Sequence, residues 1–418
     1  MEGSSETAQH RRDGGSRGIT APPASLQTLV DRYDGTVFEP ERGRARVRLE
    51  VRDAGAWDAV IEDGTAELTP AKGSADAVLR ADARTWTKIA KDVRGGLEAY
   101  RANRLSVRHN LHLGVGFLAA TSTLTGPARL RFRMVRTRRG RLSTLEAGSG
   151  PPLLAIHGLG GTKGSFLPTV TALAGSHRVI AFDLPGFGDS VKPIGASYDA
   201  RFFARAVIGL LDALELEEAH LIGNSLGGRV ALEAGLSYPE RVGRLVLLAP
   251  SLAWRRERPW APALRLLRPE LGLAQLAPRP IVEAIVRRMI PDADEGWTAA
   301  GVDEFLRAYL TPAGRAAFYA AARQIYLEEP HGSSGFWTRL GELSPEALFV
   351  WGRRDRLVPI AFKRHVGEVL PAARHIVLDC GHVPQVERPE QTHAAVGRFL
   401  AEAGGGKQRG RLVSAASA

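Results

Sequence analysis

The stretch Leu221-Ile-Gly-Asn-Ser-Leu-Gly-Gly228 decides how this chain is read. An apolar run ends in G-x-S-x-G, and the next segment, Arg229-Val-Ala-Leu-Glu-Ala-Gly-Leu236, is helix-like. Strand, sharp turn and helix in that order force Ser225 onto a corner, with its Oγ clear of the backbone. The amides at the helix start then point toward whatever Oγ attacks. Gly223 and Gly227 suit so tight a turn, where a Cβ would strike the neighbouring strand and helix. In a plain glycine-rich loop the same pentapeptide carries no chemistry; the flanking strand and helix favour a nucleophile.

A nucleophilic serine needs a base, an orienting acid and an oxyanion hole. The apolar strand Pro152-Leu-Leu-Ala-Ile156 runs into His157-Gly-Leu-Gly-Gly161. That turn is placed to offer a backbone N–H from Leu159 or Gly160, with the amide of Leu226 as second donor. Downstream, Ala347-Leu-Phe-Val-Trp351 leads into Gly352-Arg-Arg-Asp355, leaving a carboxylate just past a strand end. A last strand, Arg374-His-Ile-Val-Leu-Asp-Cys380, ends in Gly381-His382. Asp355 competes with a simpler role, balancing Arg353, Arg354 and Arg356; its strand-end position before Val358-Pro359 favours the acid. Of eleven histidines, His382 stands out because a loop late in the chain can fold back over Ser225. His157 reads as a structural residue of the oxyanion turn. Asp183 and Asp189 read as stabilisers of the turn after the strand Arg178-Val-Ile-Ala-Phe182, and Cys380 as a packed thiol. The order Ser225, Asp355, His382 differs from both other well-known arrangements of this triad.

Residues from about 126 to 403 resemble an α/β-hydrolase-fold enzyme of the esterase and C–C hydrolase type. The resemblance rests on His157-Gly158, Asp183-Leu-Pro-Gly-Phe-Gly-Asp-Ser190, Gly223-Asn-Ser-Leu-Gly-Gly228, Trp351-Gly-Arg-Arg-Asp355 with Val358-Pro359, and Cys380-Gly-His382. It implies a doubly wound α/β sheet with the triad Ser225, Asp355 and His382. Members with Asp as nucleophile open epoxides or displace halide; Ser225 argues against both. An alternative acid position in the fold corresponds to Leu245-Val-Leu-Leu-Ala-Pro-Ser251, which holds no carboxylate.

At 418 residues the chain exceeds what one such domain needs, so a second domain is expected. The single cysteine rules out an intramolecular disulfide and fits a reducing compartment. Met1 to Thr20 is polar without the apolar core of a secretion signal, and no run of eighteen apolar residues occurs. The expectation is a cytoplasmic protein with at most peripheral membrane contact. The net charge of +11 gathers in Arg129, Arg131, Arg133, Arg136, Arg138, Arg139 and Arg141 and in the tail. Arginines alternating with apolar residues in Arg129-Leu-Arg-Phe-Arg-Met134 read as the solvent face of an edge strand. Without a recognition motif or interleaved aromatics, nucleic acid is not an expected partner; anionic lipid headgroups fit better.

Residues 1–21 and 404–418 are rich in Gly, Ser and Arg and read as disordered. Between them and the hydrolase, residues 22–125 form an α+β unit. Arg46–Arg52, Trp57–Ile61, Ala66–Pro70 and Ala77–Ala81 read as a β-meander, with Asp82 capping the helix that follows. A short helix from Leu97 and the strand Leu105-Ser-Val-Arg108 come next. The unit resembles the sterol-carrier-protein-2-like lipid-binding family in Ala77 to Trp86 and in Gly96 to Arg108. Asn103 and His109 stand where that family usually carries glycine; Asn tolerates a positive φ, and His109 is a true departure from the family's pattern. The resemblance implies a lipid ligand; a scaffold or dimer contact is the competing role. Leu111-His-Leu-Gly-Val-Gly-Phe-Leu-Ala-Ala120 fits an apolar tunnel or a core helix equally.

A helical lid is expected at about 251–344, between the sixth and seventh core strands. Amphipathic pieces Ile281–Ile290 and Val302–Leu310 and many aromatic residues there point to a greasy substrate. The leading expectation is hydrolysis of a hydrophobic carboxylic ester through an acyl-Ser225 intermediate. The alternatives are C–C hydrolysis of a vinylogous diketone, with cofactor-free perhydrolysis as a side activity, and non-catalytic lipid carriage. No cofactor or metal is implied, because no cluster has ligand spacing, and the oligomeric state stays open. The N-terminal unit looks self-contained, so a chain starting near Gly126 is expected to fold and keep activity on small esters.

Overall fold

The apolar run before Ser225 forms a strand, Ala219–Asn224, buried along nearly its whole length inside an eight-stranded sheet. The computed structural model describes residues 21–40, 42–91, 94–254, 278–291 and 295–402. The segments 1–21 and 404–418 therefore lie outside the described residues, apart from residue 21.

Five strands belong to the N-terminal part: β1 (Arg44–Val51), β2 (Gly55–Glu62), β3 (Thr65–Pro70), β4 (Ala77–Ala81) and β5 (Leu105–Arg108). The large sheet holds β6 (Arg131–Thr137), β7 (Gly140–Ala147), β8 (Pro152–Ile156), β9 (Arg178–Phe182), β10 (Ala219–Asn224), β11 (Val242–Leu248), β12 (Ala347–Gly352) and β13 (Arg374–Leu378). Its order is β13-β12-β11-β10-β8-β9-β7-β6. β8 to β13 run parallel, and β7 and β6 are antiparallel additions at one edge. Strands covered on both faces are apolar throughout rather than alternating. Leu154, Ile156 and Leu221 face the helices Ala200–Ala213 and Leu226–Ser237. Leu153, Ala155 and Ile222 face Leu167–Leu173 and Pro389–Ala401. β8 lies between β9 and β10, so the winding reverses there and a crevice opens outside the carboxyl ends of β8 and β10. His157 follows one of these strands and Ser225 the other.

The edge strand β6 exposes Arg131 and Arg133 as expected, but the alternation breaks after them: Met134 is exposed and Val135 buried, with Arg136 exposed beyond it. Arg129 departs from that reading. Its guanidinium turns inward to Asp34 at 3.0 Å and to the carbonyls of Ala119 and Ala120, closing a helix end.

The N-terminal sheet, ordered β3-β2-β1-β4-β5, corrects the expected meander: β4 crosses over to pair parallel with β1. The cause is local. Asp76 binds both polar groups of the Arg46 backbone, accepting its N–H on Oδ2 at 2.8 Å and donating its own N–H to its carbonyl at 2.9 Å. Asp82 caps the next helix as expected, accepting the Thr85 N–H at 2.8 Å. Leu111–Ala120 is a core helix, capped by Asn110 and buried on nearly every side, as a helix apolar all round must be.

The N-terminal unit is not self-contained. Its core, including Leu26, Trp86 and Phe117, is continuous with Leu145, Leu167, Trp297 and Ala300 of the C-terminal part. This shared core bears against the expectation that residues from Gly126 onward fold unaided, which unfolding of the truncated chain tests. Between β11 and β12 the chain inserts the helices Arg279–Met289, Glu295–Tyr309, Pro312–Leu327 and Phe336–Leu340. Among the described residues, no helix is long and apolar enough to cross a membrane.

Candidate active site

Ser225 occupies the corner between β10 and the helix Leu226–Ser237, with φ 54° and ψ −116°. A non-glycine residue there is strained and persists only where its surroundings hold it. The Ser225 N–H donates to Leu248 at 3.0 Å, and its carbonyl accepts the N–H groups of Arg229 and Ser251. A Cβ on Gly223 would come within 2.3 Å of the Gly227 carbonyl, and one on Gly227 within 2.0 Å of the Ile156 carbonyl. Backbone approach, as the sequence suggests, is what requires glycine at both.

Asp355 lies just beyond β12 and is almost fully buried, which removes the surface-carboxylate reading. Its Oδ1 accepts the N–H groups of Leu357 at 2.8 Å and Val358 at 3.0 Å. Its Oδ2 lies 2.8 Å from Nδ1 of His382, so the imidazole donates there and presents Nε2 as its basic nitrogen. The His382 loop is held at three points. Glu387 accepts the N–H groups of Gly381 and Val383, both at 2.9 Å, and Asn224 Nδ2 donates to the His382 carbonyl at 2.9 Å. Neither Glu387 nor Asn224 stood out in the sequence as a positioning residue.

The turn after β8 is also fixed from within. His157 Nδ1 donates to the Gly158 carbonyl at 2.8 Å, and Nε2 accepts the Leu184 N–H at 3.0 Å. Burial lowers its pKa, consistent with a neutral structural imidazole. Leu159 and Gly160 line the same cavity as Ser225 and His382. Leu226 sits in the first turn of its helix, whose leading amides have no intrahelical partner, and its side chain is buried.

Asp183 and Asp189 organise their turn, Asp183 accepting the Asp189 N–H at 2.9 Å. What the sequence hid is their cation. Lys163 Nζ is buried between them, 2.7 Å from Asp183 and 3.1 Å from Asp189. Burial opposes charge on all three, but the mutual attraction wins: the Lys163 pKa is raised and both carboxylates are held low. Arg307 extends the cluster to Asp189 at 2.6 Å and to Glu304 at 3.0 Å. Lys163 lies twenty positions before Asp183 and Arg307 more than a hundred after Asp189, so no spacing links either cation to the turn and only the fold reveals them.

The cavity over Ser225 has a volume of about 730 Å³, within the range of small-molecule sites. Trp254, Ile281, Val282, Phe305, Phe318 and Leu357 give it an apolar wall. Among the described residues lining it, Glu304 is the one carboxylate, and no lysine or arginine takes part. No group of acidic, histidine or cysteine side chains among the described residues is arranged to hold a metal.

Residues 151–389 match the family model for the alpha/beta hydrolase fold. The chain belongs to this family. Among curated relatives, the 2-hydroxymuconate semialdehyde hydrolase of Pseudomonas sp. (strain CF600) is 31% identical over 287 residues, covering 63% of this chain and 91% of its own. The 2-hydroxy-6-oxo-6-phenylhexa-2,4-dienoate hydrolase of Comamonas testosteroni is 31% identical over 290 residues, covering 61% and 89%. Among solved structures, a bacterial membrane phospholipase A superposes with a TM-score of 0.57 at 28% identity, covering 74% of this chain and 94% of that one. A meta-cleavage product hydrolase gives 0.53 at 25% identity, covering 65% and 98%. The α/β-hydrolase expectation thus stands. The curated relatives favour the C–C hydrolase alternative over the ester hydrolase that led the sequence reading.

Proposed function

We propose that this chain is a serine-dependent hydrolase that breaks a carbon–carbon bond beside a ketone, in an elongated substrate with a second carbonyl in conjugation. The relatives carry the reading. A 6-oxo-dienoate contains no ester or amide, so its hydrolysis must break a C–C bond. In the proposed sequence Ser225 Oγ adds to the ketone carbon and His382 Nε2 takes its proton, while Asp355 steadies the imidazolium. The oxyanion faces the amides of Leu159 or Gly160 and of Leu226, each such donor being worth about 3 kcal/mol. The C–C bond then breaks, its electron pair delocalises toward the distant carbonyl, and His382 returns the proton to carbon. Water, activated by His382, releases the carboxylic acid from Ser225.

The buried Asp355–His382 pair opening on the cavity that holds Ser225 supports this machinery. A second reading, hydrolysis of a hydrophobic ester by the same acyl-Ser225 route, draws on the lining. An apolar wall without lysine or arginine among its described residues suits an uncharged chain better than a dienoate carboxylate. One comparison separates the two. Turnover of 2-hydroxy-6-oxo-6-phenylhexa-2,4-dienoate, followed by loss of its conjugated absorbance, is expected to exceed turnover of p-nitrophenyl butyrate in kcat/KM. An intact dienoate alongside rapid ester cleavage would select the ester reading. On either reading the inserted helices act as a lid, and we place the protein in the cytoplasm. The resemblance of residues 22–125 to lipid-binding domains makes lipid capture a separate proposal for that part.

A further inference from the structure

We propose that the N-terminal domain builds one wall of the catalytic cavity, and that Leu111 limits the size of acyl group Ser225 accepts. The proposal rests on the reading of Ser225 as nucleophile. Leu111 lines the cavity although it belongs to the N-terminal core helix, and it is only 5% exposed. It also packs near the loop beyond the oxyanion turn, its Cδ2 lying 3.1 Å from where a Cβ on Gly164 would stand.

The wall is fastened to the insertion by consecutive carboxylates. Glu304, itself lining the cavity, accepts the Leu111 N–H at 2.8 Å. Asp303 accepts from Arg108 Nε at 2.8 Å, from the His109 N–H at 2.9 Å and from Arg279 at 2.5 Å. Tyr100 stacks edge-on against Trp297 at 4.9 Å, and its hydroxyl donates to the Gly296 carbonyl. All of these residues of the insertion belong to the helix Glu295–Tyr309, apart from Arg279. The same helix sends Trp297, Phe305 and Tyr309 to the cavity. Residues 108–111 therefore set where that helix sits. His109 holds φ 69°, a left-handed conformation that costs a non-glycine residue about 1–2 kcal/mol, with its amide tied to Asp303. A strained backbone kept in place by charge-assisted bonds makes a stiff wall, and a stiff apolar wall discriminates by size.

The test is a chain-length profile, read with p-nitrophenyl esters from acetyl to dodecanoyl and with alkyl fluorophosphonates of matching lengths. Leu111→Trp is expected to lower kcat/KM for the longest chains, relative to acetyl, on the order of tenfold or more. Leu111→Ala moves the optimum to longer chains. Arg108→Ala, which touches no substrate, raises KM for long chains and leaves kcat for the acetyl ester within about twofold. Should the tryptophan variant fail to fold, the other two decide. Wild-type profiles in Leu111→Ala and Arg108→Ala, with both reagents, overturn the wall. A Ser225→Ala protein that still turns over removes the serine instead, while the ester profile continues to judge the wall.

Discussion

Asn224 Nδ2 donates to the backbone carbonyl of His382 at 2.9 Å, tying the nucleophile corner to the loop that carries the base. The same nitrogen donates to the Leu248 carbonyl at 3.0 Å, so one amide ties the ends of β10 and β11 to the His382 loop. Asn224→Ala takes the donor from the buried His382 carbonyl, while the Leu248 carbonyl keeps the Ser225 N–H. It is expected to lower the unfolding free energy by about 1–3 kcal/mol and kcat by more than KM changes. Thermal unfolding and steady-state kinetics on one preparation check this; unchanged kcat would detach Asn224 from base positioning.

Asp355→Asn keeps the shape of the acid but favours the wrong imidazole tautomer. Its kcat is expected to fall by roughly two to four orders of magnitude with the fold intact. Asp183→Asn is expected to act on stability, because Asp183 pairs with Lys163 whereas His382 pairs with Asp355. A silent Asp355→Asn beside a folded but inactive Asp183→Asn would assign the acid wrongly.

Lys163→Met removes the cation from between two buried carboxylates. Breaking a buried pair from one side typically costs about 3–5 kcal/mol. The Arg133–Glu146 pair, with Arg133 more than half exposed, is expected to contribute under about 1 kcal/mol, so Arg133→Met serves as control. Equal denaturation midpoints for the two variants would contradict the difference in burial.

Stability is expected to fall with acid in a way that reports His112. Burial first, and the Lys163 ammonium second, push its pKa down to about 3, with Asp189, Asp183 and Arg307 also facing it. The unfolded chain binds a proton near pH 6.5 that the folded chain refuses until about pH 3. Stability due to this group is thus complete above pH 6.5 and lost as pH falls, by up to about 1.4 kcal/mol per pH unit. Glu233, drawn down to about 2 by Arg339 and Arg229 against its burial, adds loss in the same direction only below pH 4.5. Urea unfolding of wild type and His112→Phe between pH 5 and 6.5 isolates the histidine. Parallel pH slopes would show that it does not titrate in this way.

Deleting residues 1–125 exposes Leu145, Leu167, Trp297 and Ala300 and strips Asp303 and Glu304 of Arg108 and Leu111. The truncated chain is expected to aggregate or to melt well below the full chain. Soluble expression and a cooperative unfolding transition at the full-length midpoint would restore independent domains.

The residues legible in the sequence are those with a local signature. Gly223 to Gly227 announce a tight corner, and Asp355 and His382 each follow an apolar strand, so strand-end position, chain order and the motif resemblance bring all three triad candidates forward. Asp82 was legible as a cap because capping is settled within three residues. Long-range pairings were not legible. Asp76 diverting β4 to β1, Glu387 bracketing His382, and Lys163 between two aspartates depend on partners that sequence separation conceals. The bond from Leu111 to Glu304 crosses almost two hundred positions, which is why the N-terminal unit looked separable. Substrate class was least legible, because a triad serves an ester and a ketone alike.

The most direct measurement is the site of covalent labelling by a fluorophosphonate, mapped by peptide mass spectrometry. The expected result is one modification, on Ser225, lost in Ser225→Ala together with turnover and slowed in Asp355→Asn. An unlabelled Ser225 in folded wild-type protein, or a Ser225→Ala variant that still turns over, would contradict nucleophilic catalysis at this corner.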